Sequence, residues 1–360
     1  MATRLEQLRA ALQATDLPGL VVNNPDNIYY LSGFTGSAGM LLVTASAQLL
    51  ISDFRYTLQA AAEAPEWTFV LARESVIAMV CQVMADDGLH HVGFEPDAVT
   101  VTQFDALTAD DADHSLTFVP APNIVETLRL VKDAEEVARI RAAVRVTDAA
   151  YAHLLTLVRP GVTELELALA AEWYMRTHGA SAVAFEIIIA AGPHSALPHA
   201  QPRPVALQPG DLVVVDMGAR CQGYCADMTR TFAVEYAGAT AREIYRICRE
   251  AQLAGLAQIH AGMSGRDADA VVRQVITDAG YGEAFGHGTG HGVGIAVHEA
   301  PRLSRYTEDV LPTGAAVTVE PGIYLADVGG VRIEDLVLVT DTGVEILTAT
   351  PKPEELPIIC

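Results

Sequence analysis

Basic residues are scarce in this chain, with 23 Lys and Arg against 45 Asp and Glu in 360 residues, a formal charge of −22. A phosphate backbone is gripped by clustered Lys and Arg, so this balance argues against nucleic acid as a partner. An acidic surface selects no partner by itself and mostly serves solubility. Long apolar runs are also lacking. None reaches the roughly 18–20 uninterrupted apolar residues of a membrane span. The opening segment MATRLEQLRAALQATDLPGL has no long apolar core before a small-residue cleavage site, so it reads as an amphipathic helix and not as a secretory leader. Cysteines are few and odd in number, at Cys81, Cys221, Cys225, Cys248 and Cys360, with no CxxC pair. That usage suits reduced thiols in a cytoplasmic protein better than a disulfide framework. The N-terminal part has neither a G-x-G-x-x-G after a strand nor a G-x-x-x-x-G-K-[ST], so nucleotide binding has no support there.

A hydrophobic fraction of 51% is ample for sizeable cores, and 360 residues favour two domains. Residues 1–125 alternate short strands and helices, which predicts an α/β layer domain. Helix is expected at about 3–14, Arg55–Ala62 and 75–86. Strand is expected at 19–24, Met40–Thr44, Gln48–Ser52, Trp67–Ala72 and His91–Glu95. The glycine- and hydroxyl-rich segment NIYYLSGFTGSA (27–38) reads as a loop. Pro120, Pro122 and the charged stretch from Lys132 to Glu136 mark the boundary and assign 126–360 to a second, α+β domain. There Asp133 is placed to cap a long helix. Further helices are expected at Leu165–His178, 239–259 and 264–279, with Gly-punctuated strands around them.

The chemistry gathers in this second part. Two β runs, Asp211–Met217 and Gly223–Val234, flank a turn. A hairpin centred between Cys221 and Gln222 would set Asp216 directly opposite Asp227, with both carboxylates on one face. The block GHGTGHGVGIAVHE carries His287, His291 and His298. Its glycines rule out a helical zinc pair at His287 and His291 and allow close backbone packing instead. Glu320 ends the β-branched run of TVEPGIY, and Glu334 sits in a strand-like run with Arg332 on the same face. Four carboxylates and one imidazole in a single site would repel too strongly to be buried without cations. Two divalent cations would neutralise them.

These segments closely resemble the pita-bread-fold metallopeptidases, in the branch of Xaa-Pro dipeptidase (prolidase) and Xaa-Pro aminopeptidase (aminopeptidase P). The Asp-x10-Asp spacing, HGTGHGVGIAVHE, TVEPGIY and RIED carry the resemblance over about 133–350, and NIYYLSGFTGSAG and ISDFRYTLQA extend it to the N-terminal part. The resemblance implies Asp216, Asp227, His291, Glu320 and Glu334 as ligands of two divalent metal ions, with manganese first and cobalt or zinc possible. Asp227 and Glu334 would bridge both ions. Glu320 would also move the proton, and His199 and His298 would stand near the reacting carbonyl. His287, Arg302 and Arg332 would line the substrate pocket, Arg302 as a clamp for a dipeptide's carboxylate. The substrate would be a small peptide with proline second, and the protein a homodimer. The readings kept open are a dipeptidase, an aminopeptidase acting on longer peptides, and a metal-free peptide-binding module.

Overall fold

The computed structural model describes residues 2–109 and 116–360 and divides into two compact units, Met1–Arg129 and Leu130–Cys360. In the first, α1 (Arg4–Ala14) begins with a capping box in which Thr3 and Glu6 satisfy each other's backbone N–H. Then follow β1 (Gly19–Val22), α2 (Pro25–Ser32), β2 (Met40–Thr44), β3 (Gln48–Ser52), α3 (Thr57–Glu63), β4 (Thr68–Leu71), α4 (Val76–Asp86), β5 (His91–Phe94), α5 (Val101–Ala109), β6 (Thr117–Pro120) and α6 (Ile124–Arg129). The strands form one mixed sheet in the order β4-β3-β2-β1-β5-β6. β1 is buried along its whole length because it is central to the sheet.

The segment 27–38 departs from the expected loop, since its first half belongs to α2. Asn24 caps that helix, Pro25 occupies its first turn, and Gly33 ends it with φ 78°. Buried Glu95 accepts from Asn23 N and Asn24 N, 2.7 Å each, and from Asn27 Nδ2 at 2.6 Å. These long-range bonds seat a short helix whose Pro-Asp and Ser-Gly ends look like turns in the sequence.

The second unit opens with α7 (Ala134–Leu155), capped reciprocally by Asp133 and Glu136. Next come α8 (Glu164–Thr177), β7 (Ala182–Val183), β8 (Ile188–Ala191), β9 (Leu212–Met217), β10 (Ala219–Cys221), β11 (Tyr224–Cys225) and β12 (Met228–Val234). The remainder is α9 (Ala239–Gln258), α10 (Gly265–Asp278), β13 (Gly290–Gly292), β14 (Glu299–Leu303), β15 (Ala316–Val319), β16 (Gly322–Leu325), β17 (Gly329–Arg332), β18 (Asp335–Thr340), β19 (Gly343–Ile346) and β20 (Ile358–Ile359). Two sheets matter for function. One runs β20-β12-β9-β8, and the other β14-β13-β15-β18-β19. α9 and α10 bury Ile244, Cys248, Val272 and Ile276 in a core shared with Val317, Val319 and Val337 of the second sheet.

The hairpin register differs from the sequence expectation. Arg220 pairs with Cys225 and Cys221 with Tyr224, so the turn is Gln222-Gly223, both with positive φ (48° and 81°). A two-residue turn of that kind needs positive φ at both centres, which draws it onto the glycine. Asp216 therefore faces Thr229, not Asp227. The partner shifts by two residues, and side chains alternate with period two, so both aspartates still point to one face.

Candidate metal centre

β9 is buried at every residue and carries Asp216 next to its end. Asp227 lies between β11 and β12, where the hairpin passes from one sheet to the next. Glu334 occupies the break between β17 and β18, and its backbone N–H donates to Thr229 O at 3.1 Å. It is thus not within a strand beside Arg332, as its sequence context suggests. Thr229 Oγ1 donates to Glu334 Oε2 at 2.7 Å, so the residue facing Asp216 orients a second carboxylate.

His291 sits mid-strand in β13, held by its N–H to Thr318 Oγ1 at 3.1 Å. Its close packing depends on flanking glycines. A Cβ on Gly290 would meet Thr318 O at 2.0 Å, and one on Gly292 would meet Ala300 O at 2.2 Å. His291 Nδ1 lies 3.1 Å from Gly292 O, a carbonyl that only accepts, so Nδ1 carries a proton. That leaves Nε2 facing the carboxylates, 3.3 Å from Glu320 Oε1 and 3.7 Å from Asp227 Oδ2. Glu320 follows β15 directly, anchored by its N–H to Thr289 O at 2.8 Å.

Asp227, His291 and Glu334 each offer a ligand atom within 4.8 Å of the others. Burial raises the carboxyl pKa of Asp227 well above the ordinary range, and repulsion from Glu334, Asp216 and Glu320 pushes it further. Glu334 is raised well above its usual value by burial, then by Glu320 and Asp216. Burial also lifts Asp216, against the opposing charge of Arg332. At Glu320 burial acts in the same direction, but the hydrogen bond and charge of His291 win and hold it at about 2. His291 is raised in turn, because Glu320 outweighs burial. Asp216 Oδ1 is buried without a hydrogen-bond partner. An orphaned oxygen, a converging triad and mutually repelling carboxylates fit oxygen- and nitrogen-ligated divalent cations.

Arg332 is the tie between the parts. Buried, it donates to Asp216 Oδ2 (2.6 Å), Thr229 Oγ1 (3.0 Å), Tyr324 Oη (2.8 Å) and Pro198 O (3.1 Å). Tyr324 Oη is in turn 2.9 Å from His287 Nε2, while His287 Nδ1 is 2.8 Å from Gly288 O. By the same carbonyl argument Tyr324 donates to His287. Burial lowers the pKa of His287, and burial followed by the charge of His291 lowers that of His298, whose ring lies 4.3 Å from that of His291. The loop bearing His199 is pinned by Glu164, which receives Arg203 Nε at 3.0 Å and Ala191 N at 2.9 Å. Beside His298, Glu299 accepts from buried Lys132 at 3.0 Å and from Ala296 N at 3.0 Å. Arg302 is the direct partner of His291 across β13 and β14.

All ten residues expected at the site, from His199 to Glu334, line one cavity of about 590 Å³. Tyr324, Thr229, Glu164 and Lys132 were not anticipated. Tyr324 lies within TVEPGIY, but nothing local marks its hydroxyl as the partner of both His287 and Arg332.

The site and fold define a pita-bread metallohydrolase that follows a creatinase-type N-terminal domain in the chain. The chain belongs to metallopeptidase family M24, which residues 138–341 match, while residues 4–131 match the Creatinase/Prolidase N-terminal domain. It is 33% identical to a Xaa-Pro dipeptidase of Pyrococcus furiosus over 98% of this chain and 99% of that one. A solved Xaa-Pro dipeptidase from Bacillus anthracis superposes with a TM-score of 0.95 at 41% identity, covering 99% of both chains. An X-Pro aminopeptidase from Thermotoga maritima gives 0.91 at 33% identity, also covering 99% of both. Among the described residues no helix is long and apolar enough to cross a membrane.

The charge cluster makes stability depend on pH. The folded-state pKa values of Asp227 and Glu334 are raised. Without cations the folded state therefore binds protons more tightly than the unfolded chain, and stability falls as pH rises above roughly 4 through the raised folded values. Chelated protein is expected to lose melting temperature between about pH 5 and about pH 8, and divalent cation to remove most of that loss. Thermal scans with and without chelator check this; a chelated protein equally stable at both pH values would contradict it.

Proposed function

We propose that this metallopeptidase hydrolyses the Xaa-Pro bond of dipeptides. The observation that carries the reading is the placing of Arg302 directly across from His291, within the cavity that holds the carboxylate cluster. A dipeptide ends at proline, so its carboxylate falls beside the scissile bond, where a guanidinium can grip it in bidentate fashion. The names of the Pyrococcus and Bacillus relatives agree. The Thermotoga relative supports a second reading, release of the N-terminal residue from longer Xaa-Pro peptides.

Asp216, Asp227, His291, Glu320 and Glu334 would hold two divalent cations, manganese in the first instance, with Asp227 and Glu334 shared. When bound, such cations supply positive charge at the scissile carbonyl and a water acidified towards neutrality. Glu320, held ionised by His291, accepts the proton of the attacking water and returns it to the proline nitrogen. His298, kept neutral by burial and by His291, can donate to the carbonyl oxygen as charge develops there, and His199 lines the same cavity. Arg332 acts on Asp216 more than on substrate, since its donors already meet protein atoms. Proline as leaving residue suits an enzyme that takes no hydrogen bond from the scissile nitrogen, which lacks an N–H. A cytoplasmic homodimer completes the proposal, supported by reduced cysteine usage and by the family resemblance.

The test is kcat/KM for Ala-Pro against Ala-Pro-Ala, after chelation and addition of manganese. Arg302→Ala is expected to raise KM for Ala-Pro by roughly tenfold or more, a floor set by the worth of a single charge-assisted hydrogen bond, and to change KM for Ala-Pro-Ala much less. Equal effects on both substrates would remove the clamp.

A further inference from the structure

One part of the cavity lining comes from β8 and the segment before it. Ile188 is the cross-strand partner of Asp216, so the two side chains share a face. Phe185 packs its ring near Gly218, where an added Cβ would lie 3.0 Å from it. Glu186 lies between them in the sequence, lines the cavity while exposed to solvent at its rim, and accepts from Gln201 Nε2 at 3.2 Å. Among the residues lining the catalytic cavity it is the one carboxylate outside the metal-site cluster. It also lines a second, neighbouring cavity of about 460 Å³, with Leu165, Leu169 and Ile187 on its wall.

We propose that Glu186 is a specificity residue that selects Xaa-Pro substrates with a long cationic Xaa side chain, lysine or arginine. The inference rests on the dipeptidase reading. If Arg302, on β14 of one sheet, receives the proline carboxylate, the first residue of the substrate lies towards Asp216 and β8 of the other sheet. Its side chain then runs along Ile188 and Phe185, whose apolar surface covers a methylene stem, and ends at Glu186. The ammonium or guanidinium head meets a carboxylate at the rim, where it keeps part of its hydration and so avoids the penalty of deep burial. An acidic Xaa meets like charge at the same point. The empty space of the second cavity gives a long side chain room to extend past the rim.

The experiment compares kcat/KM for lysyl-proline with that for norleucyl-proline, which matches the stem and lacks the charge, and with that for glutamyl-proline, using manganese-loaded full-length protein. The native protein is expected to favour lysyl-proline over norleucyl-proline by about threefold, the size of a partly exposed charge pair, and to disfavour glutamyl-proline. Raised salt should shrink the preference, because a rim contact is screened. Glu186→Gln should bring the lysyl to norleucyl ratio to about one, and Glu186→Lys should turn the preference towards glutamyl-proline. Equal native rates on lysyl- and norleucyl-proline overturn the proposal, as does a lysyl preference that survives in both variants. If no Xaa-Pro dipeptide is cleaved while longer peptides are, the dipeptidase reading itself fails and takes this inference with it.

Discussion

Glu320→Gln is expected to lower kcat/KM on Ala-Pro by roughly 10³-fold, within the range for removing a positioned general base, while the protein remains folded. The amide keeps the volume of the carboxyl but cannot take the proton of the attacking water. Glu320 also opposes His291, 3.3 Å away, and holds that imidazole's pKa up. The uncharged amide is also a poorer ligand than the carboxylate, so the variant should bind cation more weakly as well as turn over more slowly. Saturating manganese separates the two effects. A variant that regains native kcat at high manganese has lost only a ligand, and Glu320 is then not the proton carrier. One that stays inactive when loaded, with a native circular dichroism spectrum, has lost the base.

The second large effect is expected at Arg332. Arg332→Met retains the stem and removes the guanidinium from Asp216 Oδ2, Thr229, Tyr324 and Pro198 at once. Asp216 is then left buried with neither oxygen paired. Breaking a buried pair by deleting one partner costs about 3–5 kcal/mol, and loosening the residues behind a metal ligand weakens metal affinity about 10–100-fold. Denaturant unfolding of chelated protein should show the first change and manganese titration by calorimetry the second. A variant with native stability and native manganese affinity would show that the four contacts do nothing for the site.

The two effects bear on how much of this molecule could be read from its sequence. Residue types with few uses were legible. Asp216, Asp227, Glu320 and Glu334 stand in apolar or Gly-rich surroundings where a charge needs a reason, and all of them line one cavity. Asp133 was legible as a cap because the box with Glu136 is local. What failed was what depends on a single residue of register or on distant partners. The turn at Gln222-Gly223 moved the residue opposite Asp216 from Asp227 to Thr229, yet left both aspartates on one face because side chains alternate. Glu334 sits at a strand break that no propensity marks. Arg332 finds Asp216 across 116 residues of chain and Lys132 finds Glu299 across 167, pairings that only the folded sheets create. α2 was missed because Glu95, far along the chain, supplies the acceptor for the backbone N–H groups of Asn23 and Asn24 just before it and for the Asn27 side chain in its first turn.

The arrangement of the cluster on two sheets has a consequence for how the protein is made. β9 and the hairpin after it emerge first during synthesis, with Asp216 and Asp227, while His291, Glu320 and Glu334 follow on the second sheet and the strand break beyond it. Until the first of these has left the ribosome, the two aspartates share one face of the hairpin with no imidazole and no third carboxylate beside them. A partial site of that kind grips a cation weakly, so the nascent chain has little means of choosing among metals. If the five groups hold cations as proposed, selection among metals is deferred to the finished domain, where the complete set of ligands comes together.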